Sequence, residues 1–346
     1  MFPFRVRTTG ILFAGAALAG SGVLAAPSAQ AVSGVRYVTP GQSVQAAVDA
    51  AGSGGTVVLA PGTYPGDVSI TQSGVRLIGP RTGRAEIVPG ANASCGGYGI
   101  CVFGSSGNLL KNVRVDGVTV TGFAKTGVMG RYTDGFTVTG VRSRSNGEHG
   151  IGEEFSVRGV FTGNTAQDNA QSGLFVGDAT AAKGTKVVGN SASGNRIGVH
   201  IRRGRDLGVT ANTLTGNCAG VFVVGDSSSP VAGDLDITGN RIVENNRYCP
   251  PNPRIAYIQG SGIVLTGAQQ VRITGNTITG NQGASPMSGG IVMAPSISGA
   301  PTSFQTVVGN TVRNNVPADL AERDPRGSGT RYLGNSCTRS EPAGNC

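Results

Sequence analysis

Asparagine recurs along this chain in pairs whose two members are five residues apart, and any fold proposed for the chain has to explain this repeat. The residue before the first asparagine is glycine in five pairs and Ala211 in the sixth. An apolar residue stands three positions before that asparagine, and another stands two positions after it. Glycine at a fixed point indicates a tight turn, because it adopts backbone conformations that side chains obstruct. The pairs are Asn164/Asn169, Asn190/Asn195, Asn212/Asn217, Asn240/Asn245, Asn276/Asn281 and Asn310/Asn315.

The length of the repeat suits a coil of three short strands. Successive first asparagines are 26, 22, 28, 36 and 34 residues apart, and a Gly-apolar pair such as Gly173-Leu174 starts a further alternating strand in each coil. The 58 glycines fit many short strands joined by tight turns. The six-residue repeat of left-handed β-helices is absent, and strands this short leave no room for crossover helices. The sequence therefore predicts an all-β, right-handed parallel β-helix of about ten coils.

Stacking gives a reason for the recurring asparagines. Parallel coils lie about 4.8 Å apart, so each side-chain amide can bond to the next one and also satisfy the backbone of its own turn. We therefore interpret these asparagines as structural ladders and not as binding residues.

An open end of such a stack exposes unpaired strand groups, so caps are expected. Residues 39–51 predict an N-terminal capping helix that starts at Thr39-Pro40 and has Val44, Val48 and Ala51 on one apolar face. Residues 317–346 predict a C-terminal cap, with a short helix over Pro317 to Glu322 before a final disulfide-closed coil.

The first 31 residues have the features of a secretory signal peptide. Arg5 and Arg7 precede an apolar run, and the small residues 29–31 predict cleavage after Ala31. A membrane anchor would need about 20 apolar residues, whereas this run is short and broken by glycine. We therefore expect residues 32–346 to form a single β-helix domain that is secreted, is not attached to a membrane and is a monomer.

Six cysteines in an exported chain predict disulfides. Six cysteines can pair in fifteen ways, so spacing has to choose among them. Cys95 and Cys101 flank a Gly-rich loop, and Cys337 and Cys346 bracket the last residues. Cys218 then pairs with Cys249, which ties a long insertion to the coil before it.

The chain also resembles known proteins. Residues 43–50 (SVQAAVDA) and 54–64 (GGTVVLAPGTY) resemble the first segment of pectate-lyase-like β-helix proteins, and the Asn/Gly coils resemble the generic parallel β-helix repeat family. The resemblance covers nearly the whole mature chain and implies the fold. The superfamily includes polysaccharide lyases, glycoside hydrolases, uronan C5-epimerases and proteins without known catalysis.

Motifs of individual branches match only in part. Residues 149–152 (HGIG) resemble a segment of polygalacturonases, but the Asn-Thr-Asp and Asp-Asp elements of those enzymes have no counterpart here. Residues 198–203 (GVHIRR) are similar to a strand of mannuronan epimerases. The Asp-Pro-His catalytic segment of the epimerases is missing, because the nearest coil reads RYTD at 131–134. Neither activity can be carried over from the resemblance.

The strands that start at the Gly-apolar pairs present two outward rows of side chains. The third position after the apolar residue gives, coil by coil, Arg131, Glu154, Gly177, Arg202, Val224, Thr266 and Ala294. The first position gives Met129, Gly152, Phe175, His200, Phe222, Val264 and Val292. Loops after Asn245, Asn281, Gly225 and Ala294 would wall this face into a groove.

Both histidines of the chain, His149 and His200, belong to these strands, about 10 Å apart by strand spacing. With Glu154 and Arg202 they form a candidate acid/base group. Glu153 points inward by strict alternation, so we expect either a bulge or an Arg partner, Arg131 or Arg158. The candidate substrate contacts are Arg131, Asp178, Arg203, Tyr132, Phe175 and Phe222.

Two function classes remain. The first is an enzyme that cleaves or epimerises an acidic polysaccharide, with arginines neutralising the uronate and a histidine moving the C5 proton. The second is a non-catalytic extracellular carbohydrate-binding or surface protein, whose charged strip forms only surface ion pairs. A hydrolase would need two carboxylates across the groove, which Glu154 and Asp178 satisfy only loosely. Without the two arginines of the signal peptide, 26 basic and 19 acidic residues give a net charge of +7, which favours polyanions. Nucleic acid, cofactors and metals are not expected as partners.

Overall fold

A computed structural model describes residues 1–3, 34–91, 94–253 and 255–346. The predicted signal peptide, residues 1–31, lies almost entirely outside these residues and stays a prediction. The strands form three parallel sheets, each of which takes one strand from each successive coil. Twelve, ten and eleven coils contribute to sheets I, II and III, which confirms the parallel β-helix.

The strands follow the chain in the order sheet I, sheet II, sheet III. Sheet I consists of Val35–Val38, Thr56–Leu59, Arg76–Ile78, Arg114–Asp116, Thr137–Thr139, Val160–Thr162, Thr185–Val188, Arg205–Thr210, Gly233–Thr238, Gln269–Thr274, Thr306–Val308 and Arg331–Leu333. Sheet II consists of Gly62–Pro65, Ala85–Val88, Thr119–Thr121, Arg142–Arg144, Thr165–Gln167, Ser191–Ser193, Thr213–Thr215, Arg241–Val243, Thr277–Thr279 and Thr311–Arg313. Sheet III consists of Val68–Ile70, Ile100–Phe103, Val128–Arg131, Ile151–Glu154, Ser172–Gly177, Ile197–Arg202, Ala219–Val224, Ser261–Thr266, Gly289–Ala294, Leu320–Glu322 and Ser340–Glu341. A separate pair joins Leu110–Lys111 to Thr133–Asp134.

The first asparagines of the repeat form a continuous ladder at the corner between sheets I and II. Each Nδ2 donates to the Oδ1 of the next asparagine over 2.9–3.0 Å. At Asn240 the same Nδ2 also donates to the Val209 carbonyl of the coil before, and the Oδ1 accepts the backbone N–H of Asn212. The predicted ladder is therefore confirmed. Its members are Asn164, Asn190, Asn212, Asn240, Asn276, Asn310 and Asn335.

The second asparagines form another ladder at the corner between sheets II and III. It runs from Asn146 to Asn315 and ends at the Asp319 carboxylate, which accepts the Asn315 Nδ2–H over 3.0 Å. Asp319 also accepts the backbone N–H of Thr338. A carboxylate has no N–H with which to continue the ladder, so Asp319 closes it. These hydrogen bonds hold the pKa of Asp319 below its ordinary value against the opposing effect of burial.

Both corners turn within two residues because the residue before each asparagine has the left-handed backbone conformation, with a positive φ. Gly239 has a φ of 64°, and Ala211 adopts a φ of 54° in the same position of its coil. A Cβ at Gly239 would meet no atom within 4 Å, so backbone conformation and not space selects glycine there.

The N-terminal helix is shorter than the sequence indicated. It spans Val44–Ala51, and Ser43 caps it by accepting the N–H of Ala46 over 3.1 Å. Val44, Val48 and Ala51 are buried against the first coil, as expected. The start at Thr39 was wrong, because the side chain of Gln42 accepts the Thr39 N–H and holds a turn there.

The expected helix at the C-terminus is not formed. Residues Leu320–Glu322 pair in parallel with Gly289–Ala294 and extend sheet III, because Leu320 continues the inward row of Ile291. Ser340–Glu341 then pairs with Leu320–Glu322 as the last strand.

Glu153 lies inside the coil without a bulge, in register with Gly130 and Val176. Its side chain is fully buried and receives one hydrogen bond, from Thr185 Oγ1 over 3.0 Å. The expected arginine partner was wrong, since no described basic side chain reaches this carboxyl. Gly159 leaves room for the carboxyl, because a Cβ there would lie 2.2 Å from Glu153 Oε2. Burial raises the pKa of Glu153 to about 7.

The ladder predicts that Asn240→Ala destabilises the protein by about 1–3 kcal/mol, because the Val209 carbonyl and the Asn212 N–H of the coil before lose their partners. Urea denaturation followed by circular dichroism measures this. Asn108→Ala removes an exposed asparagine side chain and is the matched control. An unchanged midpoint with an unchanged slope for Asn240→Ala would show that the ladder does not stabilise the fold.

The buried Glu153 predicts a specific pH dependence of stability. Below about pH 4.5 the carboxyl is protonated in both states, whereas between pH 4.5 and 7 only the unfolded state ionises. The free energy of unfolding should therefore fall by about 3 kcal/mol over this range. Glu153→Gln should abolish that part of the fall, and Glu244→Gln, which removes an exposed carboxyl, should not. Parallel pH profiles of wild type and Glu153→Gln would contradict the assignment.

Candidate functional site

The outer face of sheet III carries the two rows that the sequence predicted. Arg131 pairs with Glu154, Glu154 with Gly177, and Gly177 with Arg202 in the parallel register. In the neighbouring row Phe175 pairs with His200 and His200 with Phe222. The candidate residues therefore meet on one face because each coil repeats the same position.

The charged residues of this face are joined in one chain of ion pairs. Glu154 accepts from Arg131 over 2.7 Å and from Arg202 over 3.0 Å. Arg202 reaches Glu154 across the coil between them because Gly177 carries no side chain there. The complete chain runs Arg131, Glu154, Arg202, Asp178, Arg203, Asp226. We call these six residues the charged strip. Its three positive and three negative groups neutralise one another.

The two histidines lie against the phenylalanines of the first row. The His149 ring stacks on Phe175 at 4.1 Å between centroids and 6°, and the His200 ring lies 5.3 Å from Phe175 and 6.1 Å from Phe222. The two imidazole centroids are 6.5 Å apart, closer than the strand spacing indicated. His149 precedes its strand by two residues, and its ring reaches along the stack to the Phe175 side chain.

Both imidazoles are neutral at physiological pH. Burial lowers the pKa of each to about 3, and the positive charge of Arg202 acts in the same direction. His149 Nδ1 accepts the backbone N–H of Ser172 over 3.3 Å, which leaves the proton of the neutral ring on Nε2. His200 Nε2 is buried and has no hydrogen-bond partner in the described structure. The pair therefore offers one N–H donor and one histidine with a free ring nitrogen.

Loops close this face into a groove with a volume of about 1190 Å³. Its walls include Ile255, Met287, Asp226 and Ile297, one from each of the four loops that the sequence indicated. The charged strip and the histidines lie at one end of the groove. The other end, from Phe222 onwards, is apolar and includes Val224 and Ala294.

Two predicted contact residues do not line the groove. Tyr132 stacks on Phe155 instead, with ring centroids 5.0 Å apart and an angle of 14°. Asp178 is buried beneath the surface, where it holds Arg202 and Arg203.

Tyr98 and Arg196 are two of the lining residues that were not predicted from the sequence. Tyr98 lies on the Gly-rich loop of the first disulfide, beneath the cations of Lys125 and Arg131. Burial raises the pKa of its phenol, which stays protonated at neutral pH. Arg196 immediately precedes the strand Ile197–Arg202 and lines the groove as well. Its position just before a sheet III strand was the available signal.

All six cysteines are bonded in the pairs that spacing predicted. The bonds join Cys95 to Cys101, Cys218 to Cys249 and Cys337 to Cys346. The second bond fixes the long insertion to the preceding coil, next to the groove.

Family models agree with this architecture. A model described as a right-handed beta helix region matches residues 91–242. A second, described as the periplasmic copper-binding protein NosD, matches residues 179–332. The chain is a right-handed parallel β-helix protein. No curated protein matches the sequence.

Solved structures of other β-helix proteins superpose over most of the chain. The A-module of a mannuronan C-5 epimerase from Azotobacter vinelandii has a TM-score of 0.62 and 20% identity, covering 84% of this chain and 91% of its own. A periplasmic alginate epimerase superposes with a TM-score of 0.57 and 14% identity, and the match covers 82% of this chain and 70% of the epimerase. The catalytic unit of a GH87 α-1,3-glucanase from Streptomyces thermodiastaticus has a TM-score of 0.56 and 18% identity, and the match covers 86% of this chain and 61% of the glucanase chain. At these identities the likeness establishes the fold alone.

The residues of this β-helix do not fit a copper centre. Copper takes histidine, thiolate and thioether ligands. The segment matched by the copper-binding model has a single histidine, His200, and its cysteines Cys218 and Cys249 form a disulfide. Its two methionines, Met287 and Met293, lie in two different apolar clusters. Across the described segments, no three His, Cys, Asp or Glu side chains are placed to hold a metal ion. Nor does any described helix reach the length and apolarity of a membrane span.

The low histidine pKa values predict that neither imidazole titrates between pH 5 and 8 in the folded protein. Proton NMR of the Cε1–H signals measures this, and the chain has only two histidines to observe. The same signals in the urea-unfolded protein should titrate near pH 6.5 and serve as the control. A folded-state midpoint near 6.5 for either signal would show that the groove does not exclude the charged imidazole.

Proposed function

We propose that this β-helix protein binds an acidic polysaccharide in the groove of sheet III and transfers a proton at the sugar C5 through His200. The observation that carries the proposal is the pair of neutral histidines set between phenylalanine rings in a walled groove. Phe175 and Phe222 are only 1% and 2% exposed, so the flat rings that face the groove and can contact a sugar ring are the two imidazoles packed against them. The strip from Arg131 to Arg203 adds a dense set of hydrogen-bond donors along one side.

Cleavage by β-elimination and C5 epimerisation share their first step. A base removes the C5 proton, and the carboxylate next to C5 takes up the electron pair. His200 lines the groove and its imidazole is neutral, so the ring can accept this proton. In elimination the protonated His200 can return this proton to the oxygen that leaves C4, and the Nε2–H of His149 can donate a hydrogen bond to the same oxygen. In epimerisation a water molecule supplies the new proton to the opposite face of C5, and His200 releases its proton to the solvent. The charge that develops on this carboxylate requires a positive group in the groove.

Hydrolysis is less well supported by the geometry. A glycosidase needs one protonated carboxyl to donate to the glycosidic oxygen. Glu154 accepts from Arg131 and Arg202, and Asp178 accepts from Arg202 and Arg203, so guanidinium groups already occupy the oxygens of both carboxylates. Neither acid is placed as a proton donor.

A second candidate function, carbohydrate binding without catalysis, is favoured by one specific observation. The three arginines of the strip are already neutralised by Glu154, Asp178 and Asp226. A strip closed in this way can position a sugar chain through its remaining N–H donors without activating it. Glu154 and Asp178 then serve to orient the arginines.

Export of the protein is part of the proposal. Three disulfides are typical of an oxidising compartment outside the cytoplasm. The features of residues 1–31 support release of a mature chain that starts at Val32.

The proposal predicts that His200→Ala abolishes turnover and leaves binding of the same polysaccharide largely intact. The purified mature protein is incubated with pectate, alginate and glycosaminoglycans. Unsaturated-uronate absorbance reports elimination, and exchange of the C5 proton in deuterated water reports epimerisation. Arg142→Gln, on the outer face of sheet II, is a control that should leave turnover unchanged.

The outcomes separate the two candidate functions. Turnover by wild type that persists in His200→Ala would remove His200 from the mechanism. Binding by wild type with no product in either assay would favour the non-catalytic function. Failure to bind any of the polyanions, at low and high salt alike, would contradict both.

A further inference from the structure

Arg196 is a buried arginine in the groove whose charge no carboxylate neutralises. The residue is 9% exposed. Nη1 donates to the backbone carbonyl of Pro250 over 2.9 Å, whereas Nη2 is buried and has no hydrogen-bond partner. Within the described residues, no Asp or Glu lies within ion-pair distance of this guanidinium.

The other arginines of the groove differ from Arg196 in this respect. Arg131, Arg202 and Arg203 each contact at least one carboxylate, and each is at least one-third exposed at the side chain. A buried cation without a counter-ion destabilises a folded protein, because the lost hydration is not replaced. The fold therefore keeps one unneutralised positive charge in the same groove as the histidines.

The disulfide-bonded insertion holds this arginine in place from two sides. Cys218 donates its backbone N–H to the Arg196 carbonyl over 3.2 Å, and Cys218 is bonded to Cys249, the residue before Pro250. Cys249 and Ile258 exchange two backbone hydrogen bonds, which closes the insertion into a hairpin. Both the backbone and the side chain of Arg196 are thus fixed by the Cys218–Cys249 unit.

We propose that Arg196 is the carboxylate receptor of the groove, with its guanidinium donating to a uronate oxygen of the bound chain, and that the paired arginines of the strip do not have this role. This inference rests on the proposed binding of an acidic polysaccharide. A guanidinium that has lost its water binds a carboxylate more strongly than one exposed to solvent. Burial also acts to lower the pKa of Arg196, and a bound carboxylate would offset that cost.

The inference predicts how charge recognition depends on this residue. Calorimetry compares oligouronates from pectate and alginate with the same oligomers after their carboxyl groups have been reduced to alcohols. Wild type should bind the acidic oligomer at least about tenfold more tightly than the reduced one, the value of a hydrogen bond to a charged group. Arg196→Gln should reduce this preference to about twofold or less, mainly by weakening the acidic oligomer.

Two further variants make the comparison specific. Arg142→Gln removes the same charge from the exposed outer face of sheet II and should keep the wild-type preference. Arg196→Lys keeps a positive charge without the planar fork of donors and should show a reduced preference that still favours the acidic oligomer. The lysine variant also provides the test if Arg196→Gln does not fold.

The results distinguish this inference from the proposed function. Retention of the full preference by Arg196→Gln, or its equal loss in Arg142→Gln, would overturn the role of Arg196 and leave polysaccharide binding standing. Equal affinity of wild type for acidic and reduced oligomers would also overturn the role of Arg196 and leave polysaccharide binding standing. If wild type binds neither oligomer, the proposed function and the role of Arg196 both fail.

Discussion

The side-chain amide of asparagine links its own coil to the coils before and after it, and the rest of this molecule depends on that arrangement. At Asn240 the two N–H donors reach Asn276 in the next coil and Val209 in the coil before, while the oxygen accepts from Asn212. A hydroxyl has too few donors for this, and a carboxylate has none. Asparagine can therefore continue the ladder indefinitely, whereas Asp319 ends it. The left-handed residue that precedes each asparagine lets the chain turn so tightly that the amide faces its neighbours.

The two ladders fix two of the three corners of each coil. The coils therefore differ in length mainly in the loops that lie directly before and after the strands of sheet III. The insertion closed by Cys218–Cys249 lies between the second ladder and sheet III, and the loop containing Ile297 follows a sheet III strand. The asparagine ladders keep sheets I and II regular, and the longer loops beside sheet III form the walls of the groove. The groove is a consequence of where the fold tolerates extra residues, and its floor is set by the strict register of the strands.

The period of the repeat predicted the coil and both outward rows of sheet III, and the spacing of the cysteines predicted the three disulfides. The sequence did not predict how side chains cross between coils. Arg202 reaches Glu154 only because Gly177 leaves the intervening position empty. Glu153 is tolerated inside the coil because Gly159 makes space and Thr185 donates one hydrogen bond. The isolation of Arg196 depends on the fold of an insertion outside the repeat. Such contacts depend on rotamers and loop paths, which a repeat does not specify.

The groove of sheet III is the proposed binding site of this β-helix protein for an acidic sugar chain. The most direct test is a crystal structure of the protein soaked with an oligouronate. We expect electron density for sugar rings along sheet III, over Phe175 and His200, with a carboxylate within hydrogen-bond distance of Arg196. Density confined to sheet I or sheet II, with the groove holding solvent at saturating oligouronate, would contradict the account.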